Sequence, residues 1–233
     1  MNFLANEELE QSGIVANCRM NRERNLCGSN GYSRELRFNP LDFLKEKAES
    51  KGHASWLDLC CGTGKALVEA GSQISEESLP IEIVGVDLVG MFLSGKATPT
   101  CLKLIQASLS TWDPDEQFDL ITCVHGLHYV GDKLGLITRA ASWLTVGGRF
   151  VANLDLKNIK LDDDLSAERI IAKELRRQGF EYDFRRHLIL SDTRRTVDFP
   201  FKYLGANDQA GPNYTGQPAV NSHYQVEDAG KTW

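Results

Sequence analysis

The sequence predicts an α/β fold in which a mostly parallel sheet carries helices on both of its faces. Short apolar runs alternate with helical patterns from residue 51 onward, which is the order of a doubly wound sheet. The run over residues 81–87 is nearly all apolar, as expected of a parallel strand that is buried on both faces. The first apolar run also ends in a Gly-x-Gly turn that opens a helical pattern, so we expect a ligand site there.

Composition narrows the classes of function. The 233 residues are 42% hydrophobic and 25% charged, which suits one globular domain with a sizeable core. Thirty-two acidic against 26 basic residues give a net charge of −6, which argues against a nucleic-acid partner. No apolar run approaches the roughly 18 residues that span a bilayer, and the first residues do not resemble a signal peptide. Six cysteines without a C-x-x-C pair favour free thiols in the cytoplasm.

Residues 1–50 are predicted to form helical cover ahead of the first strand. A Gly-rich break at residues 27–31 is followed by a short helical pattern that begins near Tyr32. Asn39 and Pro40 are typical of a helix N-cap and first turn, which predicts a helix over residues 41–50. This segment is expected either to cover one edge of the sheet or to lie over a ligand.

The glycine turn after the first strand is the most informative motif. A phosphate-binding P-loop requires Ser or Thr after Gly-Lys, and Ala66 stands there. The dinucleotide fingerprint requires a third Gly or Ala, and Leu67 stands there, which disfavours a nicotinamide-dependent oxidoreductase. What remains is the pattern D-x-x-x-G-x-G, which runs from Asp58 to Gly62 and Gly64.

That pattern resembles motif I of the class I S-adenosylmethionine-dependent methyltransferases, D-x-G-x-G-x-G, with Cys60 in place of the first glycine. The resemblance covers about residues 51–204. It implies a Rossmann-like doubly wound sheet of seven strands, mostly parallel, with one antiparallel strand from a C-terminal hairpin. It also implies S-adenosylmethionine as cofactor, bound by the turn that contains Asp58, Cys60, Cys61, Gly62 and Gly64.

The second strand, residues 81–87, ends in Asp87, followed by Leu88. An acidic side chain at the carboxyl end of such a strand can accept hydrogen bonds from both ribose hydroxyls of a ligand. The alternative is that Asp87 only favours the turn that follows the strand. Asp87 and Leu88 are therefore predicted to bind the cofactor. A short helix is expected over residues 89–96.

The third strand, residues 101–107, ends at Ser108 and Leu109. In the family that the chain resembles, this strand end usually carries an Asp that binds the adenine amino group. Here the Ser108 hydroxyl offers an uncharged hydrogen bond instead. Ser108 and Leu109 are therefore expected to contact adenine, in part through their backbone groups.

The fourth strand, residues 118–125, begins Phe-Asp-Leu-Ile, as in the family, and ends at His125. An imidazole there is placed to take a proton from an acceptor as the methyl group arrives, so His125 is the candidate catalytic residue. The alternative is that His125 hydrogen-bonds only to the backbone. His128 lies three residues on, but no further ligand completes a metal site, and no metal is expected.

The remaining elements complete the sheet. A helix over residues 132–144 is expected to end at a glycine cap, Val146-Gly147-Gly148, before a fifth strand over 149–156 and a polar loop over 157–164. A helix capped by Ser166 then precedes a hairpin with strands over 181–190 and 194–204. Residues 205–233 are polar and without periodicity, and are expected to line a pocket or to fray.

The sequence therefore predicts a methyltransferase core over 51–204, a helical lid over 1–50 and a polar tail over 205–233. The expected reaction is methyl transfer to oxygen, nitrogen or carbon of a small molecule, with Tyr32 a further candidate contact to the cofactor or acceptor. A macromolecular acceptor and a non-catalytic cofactor-binding regulator are the alternatives. The sequence leaves the acceptor and the oligomeric state open.

Overall fold

A seven-stranded sheet forms the centre of the computed structural model, which describes residues 3–16, 23–93, 98–161 and 167–227. In chain order the strands are β1 Ala54–Leu59, β2 Ile81–Asp87, β3 Leu102–Gln106, β4 Phe118–Cys123, β5 Leu144–Asn153, β6 Ile159–Leu161, β7 Glu181–Asp183, β8 Leu188–Ser191, β9 Phe201–Asn207 and β10 Asn221–Val226. The central sheet has the order β3-β2-β1-β4-β5-β8-β7, and its first five strands are parallel. β8 runs antiparallel to both neighbours. The predicted fold class is confirmed.

Helices cover both faces of this sheet. They are α1 Asn6–Glu10, α2 Gly13–Ala16, α3 Tyr32–Leu36, α4 Pro40–Lys51, α5 Lys65–Glu76, α6 Lys133–Ser142 and α7 Ala167–Arg177, with single 3₁₀ turns at Gly126–Tyr129 and Leu156–Asn158. Successive side chains of β1 point to opposite faces, so Trp56 packs in the core under α4 and α5, and Leu57 in the core under α6 and α7. Asn39 caps α4 as predicted, since its side chain accepts from the Leu41 N–H at 3.1 Å.

The strand order places a crevice at the carboxyl ends of β1 and β4. From β1 the chain moves outward through β2 and β3, then returns to the other side of β1 as β4 and β5. Loops that leave β1 and β4 therefore diverge, and ligands of doubly wound folds bind at such a switch point. The glycine turn and His125 both follow these two strands.

The C-terminal hairpin forms, but not where the sequence predicts it. Its strands are β7 and β8, and the turn lies at residues 184–187, inside the segment predicted as one strand. The turn contains neither Gly nor Pro; it forms because the Asp183 carboxylate accepts the N–H groups of Arg185 and Arg186. Residues 194–204 do not join this sheet, and most of their extended part belongs to β9.

A second, three-stranded sheet was missed altogether. Its order is β6-β10-β9, with β10 parallel to β6 and antiparallel to β9. β6 lies in the predicted polar loop, and the predicted boundary after residue 204 falls inside β9. In β10 the buried residues are Ser222 and Tyr224. Buried and less buried residues therefore alternate along the strand, but the buried ones are polar or amphipathic, so a search for alternating apolar residues does not find the strand.

Three smaller expectations also differ from the structure. Residues 89–93 are not helical, and the rest of the predicted helix lies outside the described residues. α6 ends at Ser142 and β5 begins at Leu144, so Gly147, with a φ of 74°, interrupts a strand instead of capping a helix. The expected cap Ser166 lies outside the described residues. Within the described part of the chain, no helix has the length and apolar character to cross a bilayer.

Candidate active site

A cavity of about 190 Å³ opens at the carboxyl ends of the parallel strands. The loops after β1, β2 and β4 form one wall, and the N-terminal helices α1 and α2 contribute to another. The lining residues are Asn6, Leu9, Glu10, Val15, Cys60, Gly62, Asp87, Leu88, Val89, Leu109, Ser110, Val124, His125, Gly126, Tyr129, Val130, Gly131, Asp132 and Arg139. Five predicted cofactor residues therefore meet at one site, together with the candidate catalytic residue His125: Cys60, Gly62, Asp87, Leu88 and Leu109.

The glycine turn winds tightly beside this cavity. Cys60, Gly62 and Gly64 all have positive φ values, of 57°, 62° and 72°. Glycine adopts this conformation without steric cost, whereas Cys60 is a non-glycine residue held in it by its surroundings. Gly64 is the N-cap of α5 and lies outside the cavity lining, as does the buried Cys61.

Asp87 links the glycine turn to the loop after β2. Its Oδ2 accepts the Gly62 N–H at 2.9 Å, and its Oδ1 accepts the Val89 N–H at 3.0 Å. Each carboxylate oxygen accepts more than one hydrogen bond, so both retain capacity for a ligand on the cavity side. Asp87 lies where the sequence places it, at the end of a parallel strand and in the cavity wall.

Asp58 and Tyr32 pair with each other beneath the turn. The Tyr32 hydroxyl donates to Asp58 Oδ2 at 2.7 Å, and the Thr122 hydroxyl donates to Asp58 Oδ1 at 2.5 Å. Burial raises the pKa of Asp58 to about 7, against the opposing effect of these two donors. Neither Asp58 nor Tyr32 lines the cavity. Both residues have partners inside the fold, and their direct contact with a ligand stays a prediction.

The strand end at Ser108 is covered by the N-terminal helix α1. The Ser108 hydroxyl lies 2.5 Å from Glu10 Oε1 and 2.6 Å from Ser110 Oγ. Leu109 and Ser110 line the cavity, whereas Ser108 does not. Glu10 was missed in the sequence because it lies 98 positions before its partner and belongs to no motif.

His125 follows β4 in the left-handed conformation, with a φ of 58°. Its N–H donates to Asn153 Oδ1 at 3.1 Å, and its ring Nε2 lies 3.1 Å from Glu35 Oε2. This contact lowers the pKa of Glu35, and burial of the carboxyl group acts in the opposite sense. The sequence predicted His125 but not Glu35, whose helix α3 precedes β4 by more than eighty residues.

Beyond His125 lies a cluster of rings centred on Tyr214. The Tyr214 ring stacks on His187 with centroids 4.0 Å apart, and its centroid lies 5.4 Å from that of His128 and 6.1 Å from that of His125. Burial lowers the pKa of His128 well below its ordinary value, so this ring is neutral at pH 7. Among the described residues no group of His, Cys, Asp and Glu side chains has the geometry of a metal site.

A family model described as a methyltransferase domain matches residues 30–187 of the chain, more than half its length. The matched region contains the glycine turn, Asp87 and His125. The chain belongs to this methyltransferase family. Membership confirms the predicted resemblance, the enzyme class and S-adenosylmethionine as the cofactor.

This methyltransferase is also similar to solved structures, at low sequence identity. YjhP from E. coli is 18% identical, with a TM-score of 0.40 over 60% of this chain and 54% of that one. CalS10, an amino pentose methyltransferase from Micromonospora echinaspora, is 20% identical, with a TM-score of 0.35 over 48% of each chain. The sugar N-methyltransferase KedS8 from a Streptoalloteichus species is 25% identical, with a TM-score of 0.37 over 48% of this chain and 46% of that one. The methyltransferase thus spans about half the length of these structures. No curated protein matches its sequence significantly.

The cavity of this methyltransferase suits the chemistry of S-adenosylmethionine. The cofactor has a flat base, a ribose with two hydroxyls and a positively charged sulfonium. Leu88 and Leu109 offer apolar surface to the base, and the Asp87 carboxylate offers acceptors for the hydroxyls and a negative charge near the cation. Gly62 brings the backbone to the cavity without an intervening side chain.

Proposed function

We propose that the protein transfers a methyl group from S-adenosylmethionine to oxygen, nitrogen or carbon of a small molecule held beside His125 and Tyr214. The observation that carries this proposal is the His125–Glu35 pair at the carboxyl end of β4. His125 lines the cofactor cavity, and its Nε2 lies 3.1 Å from a carboxylate of lowered pKa. A buried imidazole paired with a carboxylate at the site of transfer is the arrangement of a general base.

The cofactor supplies a methyl group on an already activated sulfur, so the new bond to the acceptor forms as the carbon–sulfur bond breaks and adenosylhomocysteine leaves. An acceptor hydroxyl or amine must lose a proton in this reaction. The free imidazole nitrogen of His125 takes that proton, and the Glu35 carboxylate orients the ring and stabilises its charged form. The surrounding residues hold the acceptor in line and exclude water.

Enclosure of the cleft supports a small acceptor. Helices α1 and α2 line one side of the cavity, and the segment that carries Tyr214 closes the side next to His125. A net charge of −6 offers little attraction to nucleic acid. All cysteines in the described part of the chain are free, which supports the reducing cytoplasm as the proposed compartment.

Mass spectrometry tests the reaction directly. The protein is incubated with S-adenosylmethionine carrying an isotopically labelled methyl group and with fractionated small-molecule extract, and labelled products are identified. His125→Asn should lower turnover of the identified acceptor by about 10²–10⁴-fold while leaving adenosylhomocysteine affinity unchanged. The matched control is His53→Asn, the same change at an exposed histidine.

The outcomes separate this proposal from its alternatives. Turnover of His125→Asn within a few-fold of the unaltered protein would show that no base is needed and that positioning alone moves the methyl group. Tight binding of adenosylhomocysteine without labelled product in any small-molecule fraction would favour the non-catalytic regulator. Label found only on protein or nucleic acid would favour a macromolecular acceptor.

A further inference from the structure

A second cavity, of about 320 Å³, lies next to Tyr214. Its walls come from the loop that leads from β5 into β6 and from the segment that precedes β10. The lining residues are Asp155, Lys157, Asn158, Lys160, Ala210, Pro212, Asn213, Tyr214 and Asn221. Seven of these nine side chains are polar or charged, and Ala210 and Pro212 are the two that are not. The proposed methyl transfer uses none of these side chains except Tyr214.

Two buried amide side chains in this wall have unused hydrogen-bonding atoms. Asn158 and Asn213 are only 4% and 6% exposed, yet Asn158 Oδ1 and Asn213 Nδ2 have no hydrogen-bond partner among the described residues. A buried polar atom without a partner is costly, so such atoms usually mark a place where a ligand or water binds. One of these atoms is an acceptor and the other is a donor.

The orientation of Asn213 is determined by its own loop. Its Oδ1 accepts the N–H of Thr215 at 2.7 Å and the Thr215 hydroxyl at 2.6 Å. Because a backbone N–H only donates, the oxygen must face Thr215 and the NH₂ group must face away from it. The Asn213 NH₂ group therefore lies on the side of the amide away from Thr215, and it has no hydrogen-bond partner among the described residues.

The walls of this cavity are also tied to each other. The buried Asp155 carboxylate accepts the Lys157 N–H through Oδ1 and the Tyr214 N–H through Oδ2, both at 3.1 Å. The cavity is thus held open by hydrogen bonds that do not use Asn158 Oδ1 or Asn213 Nδ2. Lys157 and Lys160 add two exposed ammonium groups, and neither forms an ion pair with a described residue.

We propose that this cavity is the subsite for a remote part of the methyl acceptor, and that the part it binds is a hydroxyl-bearing, negatively charged group such as a sugar acid. A hydroxyl both donates and accepts, so it satisfies Asn158 Oδ1 and Asn213 Nδ2 together. The two lysines favour a negative over a neutral ligand. The inference rests on the proposed function, because it assigns a substrate class to the same acceptor.

Tyr214 connects the subsite to the site of methyl transfer. Its ring lies 6.1 Å, centroid to centroid, from His125, which lines the cofactor cavity, and Tyr214 itself lines the second cavity. An acceptor that passes along this ring places its reactive atom at His125 and its remote hydroxyls at the two amides. Such a remote contact positions the reacting atom and raises specificity.

Binding of three probes to the full-length protein, saturated with adenosylhomocysteine, tests this assignment by NMR of the ¹⁵N-labelled side-chain amides. D-glucuronate should bind saturably, shift the Asn213 amide signals and bind more tightly than D-glucose, with a preference that shrinks as salt is added. Acetate, which carries the charge without the hydroxyls, should not saturate. Acetate binding as tightly as D-glucuronate would overturn the assignment, as would the absence of saturable shifts with both sugars.

Matched variants test the residues. Asn213→Asp keeps the oxygen that accepts from Thr215 and removes the unpaired donor, so it should weaken the binding of D-glucose by at least about tenfold. Asn30→Asp, the same change at an exposed amide, should have no effect. Lys160→Ala should reduce the preference for D-glucuronate, whereas Lys103→Ala, at an exposed lysine of β3, should not. Equal sugar binding by Asn213→Asp and Asn30→Asp would overturn the assignment.

Calorimetry with adenosylhomocysteine distinguishes this inference from the proposed function. Asn213→Asp should bind adenosylhomocysteine as the unaltered protein does, because its side chain lies outside the cofactor cavity. Failure of the unaltered protein to bind adenosylhomocysteine would contradict the proposed function. Normal cofactor binding without sugar binding would contradict only the subsite.

Discussion

At the scale of single residues, Asp87 connects the elements of the cofactor cleft. Its carboxylate holds the N–H of Gly62 in the turn after β1 and the N–H of Val89 in the loop after β2. A charged acceptor forms stronger hydrogen bonds than a neutral one, so the turn keeps its shape before any ligand arrives. We therefore expect Asp87 to contribute to cofactor affinity both by contact and by preorganisation.

Replacement of Asp87 should separate these contributions. Asp87→Ala should weaken the binding of adenosylhomocysteine by about 2–3 kcal/mol, since the charged acceptor and the restraint on the turn are both lost. Asp87→Asn keeps one acceptor oxygen, so its affinity for adenosylhomocysteine should lie between that of Asp87→Ala and that of the unaltered protein. Isothermal calorimetry measures both, with the exposed Asp42→Ala as control. Unchanged affinity in a folded Asp87→Ala protein would remove Asp87 from the site.

Glu35 offers a second test at this scale. Glu35→Gln keeps the shape of the side chain but removes the negative charge beside His125. The proton that the ring takes from the acceptor is then less stabilised, so turnover should fall about tenfold, less than for His125→Asn. Steady-state kinetics measures this, with the exposed Glu46→Gln as control. Unchanged turnover would show that Glu35 only supports the fold.

The sequence identified the site residues that belong to local motifs or strand ends, and missed those contributed by distant segments. Asp87 and His125 were found because both follow strands whose carboxyl ends must meet. Glu35, Glu10 and Tyr214 lie far from these strands in the sequence, and only tertiary packing brings them to the cleft. No alternation or spacing in a single sequence contains that information.

At the scale of elements, α6 is joined to β10 through one buried lysine. The Lys133 ammonium donates to the Val220 carbonyl at 2.7 Å, to the Ser222 hydroxyl at 2.9 Å and to the Val130 carbonyl at 2.9 Å. All three donors are used, but none meets a carboxylate. Lys133 therefore attaches the second sheet to the main core. Burial disfavours the charged form of its ammonium group.

This lysine predicts how stability depends on pH. Burial lowers its pKa from the ordinary 10.5 to about 7, with Asp132 and Asp155 opposing the shift. Between these values the unfolded chain binds a proton that the folded protein does not, so the free energy of unfolding should rise with pH by up to about 1.4 kcal/mol per pH unit. The stabilisation is present above pH 10.5 and is lost as pH falls through 7.

Urea unfolding of Lys133→Met between pH 7 and pH 10 isolates this contribution from that of every other titrating group. The rise of unfolding free energy with pH should be shallower than in the unaltered protein. Lys103→Met, at an exposed lysine of β3, should retain the full rise. Equal slopes in the two variants would mean that Lys133 keeps its proton in the folded protein.

Elements of the central sheet could be predicted, and those of the second sheet could not, for a physical reason. β1, β2 and β4 are buried on both faces and appear as apolar runs. β6 has only three residues, and β10 buries a serine and a tyrosine, whose hydroxyls find partners in Lys133 and Asp132. Pairing with distant strands determines such segments more than their own hydrophobicity does.

At the scale of the whole molecule, the N-terminal segment is attached to β9 of the second sheet. The Leu4 N–H donates to the Ala206 carbonyl of β9 at 2.8 Å, and the Tyr203 hydroxyl lies 3.3 Å from Asn6 Oδ1. α1 therefore lies between the cofactor cavity and the second sheet. It has only five residues, so it is expected to open at a low cost in free energy.

We predict from this arrangement that the segment formed by α1 and α2 acts as a lid that closes over the cofactor, together with the segment around Tyr214. Adenosylhomocysteine fills the cavity that Leu9, Glu10 and Val15 line, and its apolar and polar contacts should hold the lid closed. Hydrogen–deuterium exchange should therefore show added protection in residues 3–16 and 210–220 when adenosylhomocysteine binds, beyond the protection of the glycine turn itself. Glu10→Gln, which weakens the contact with Ser108, should reduce the protection of residues 3–16 more than that of the turn. Protection confined to residues 57–128 would show instead that the N-terminal helices only cover the edge of the fold, and that the cofactor enters and leaves without moving them.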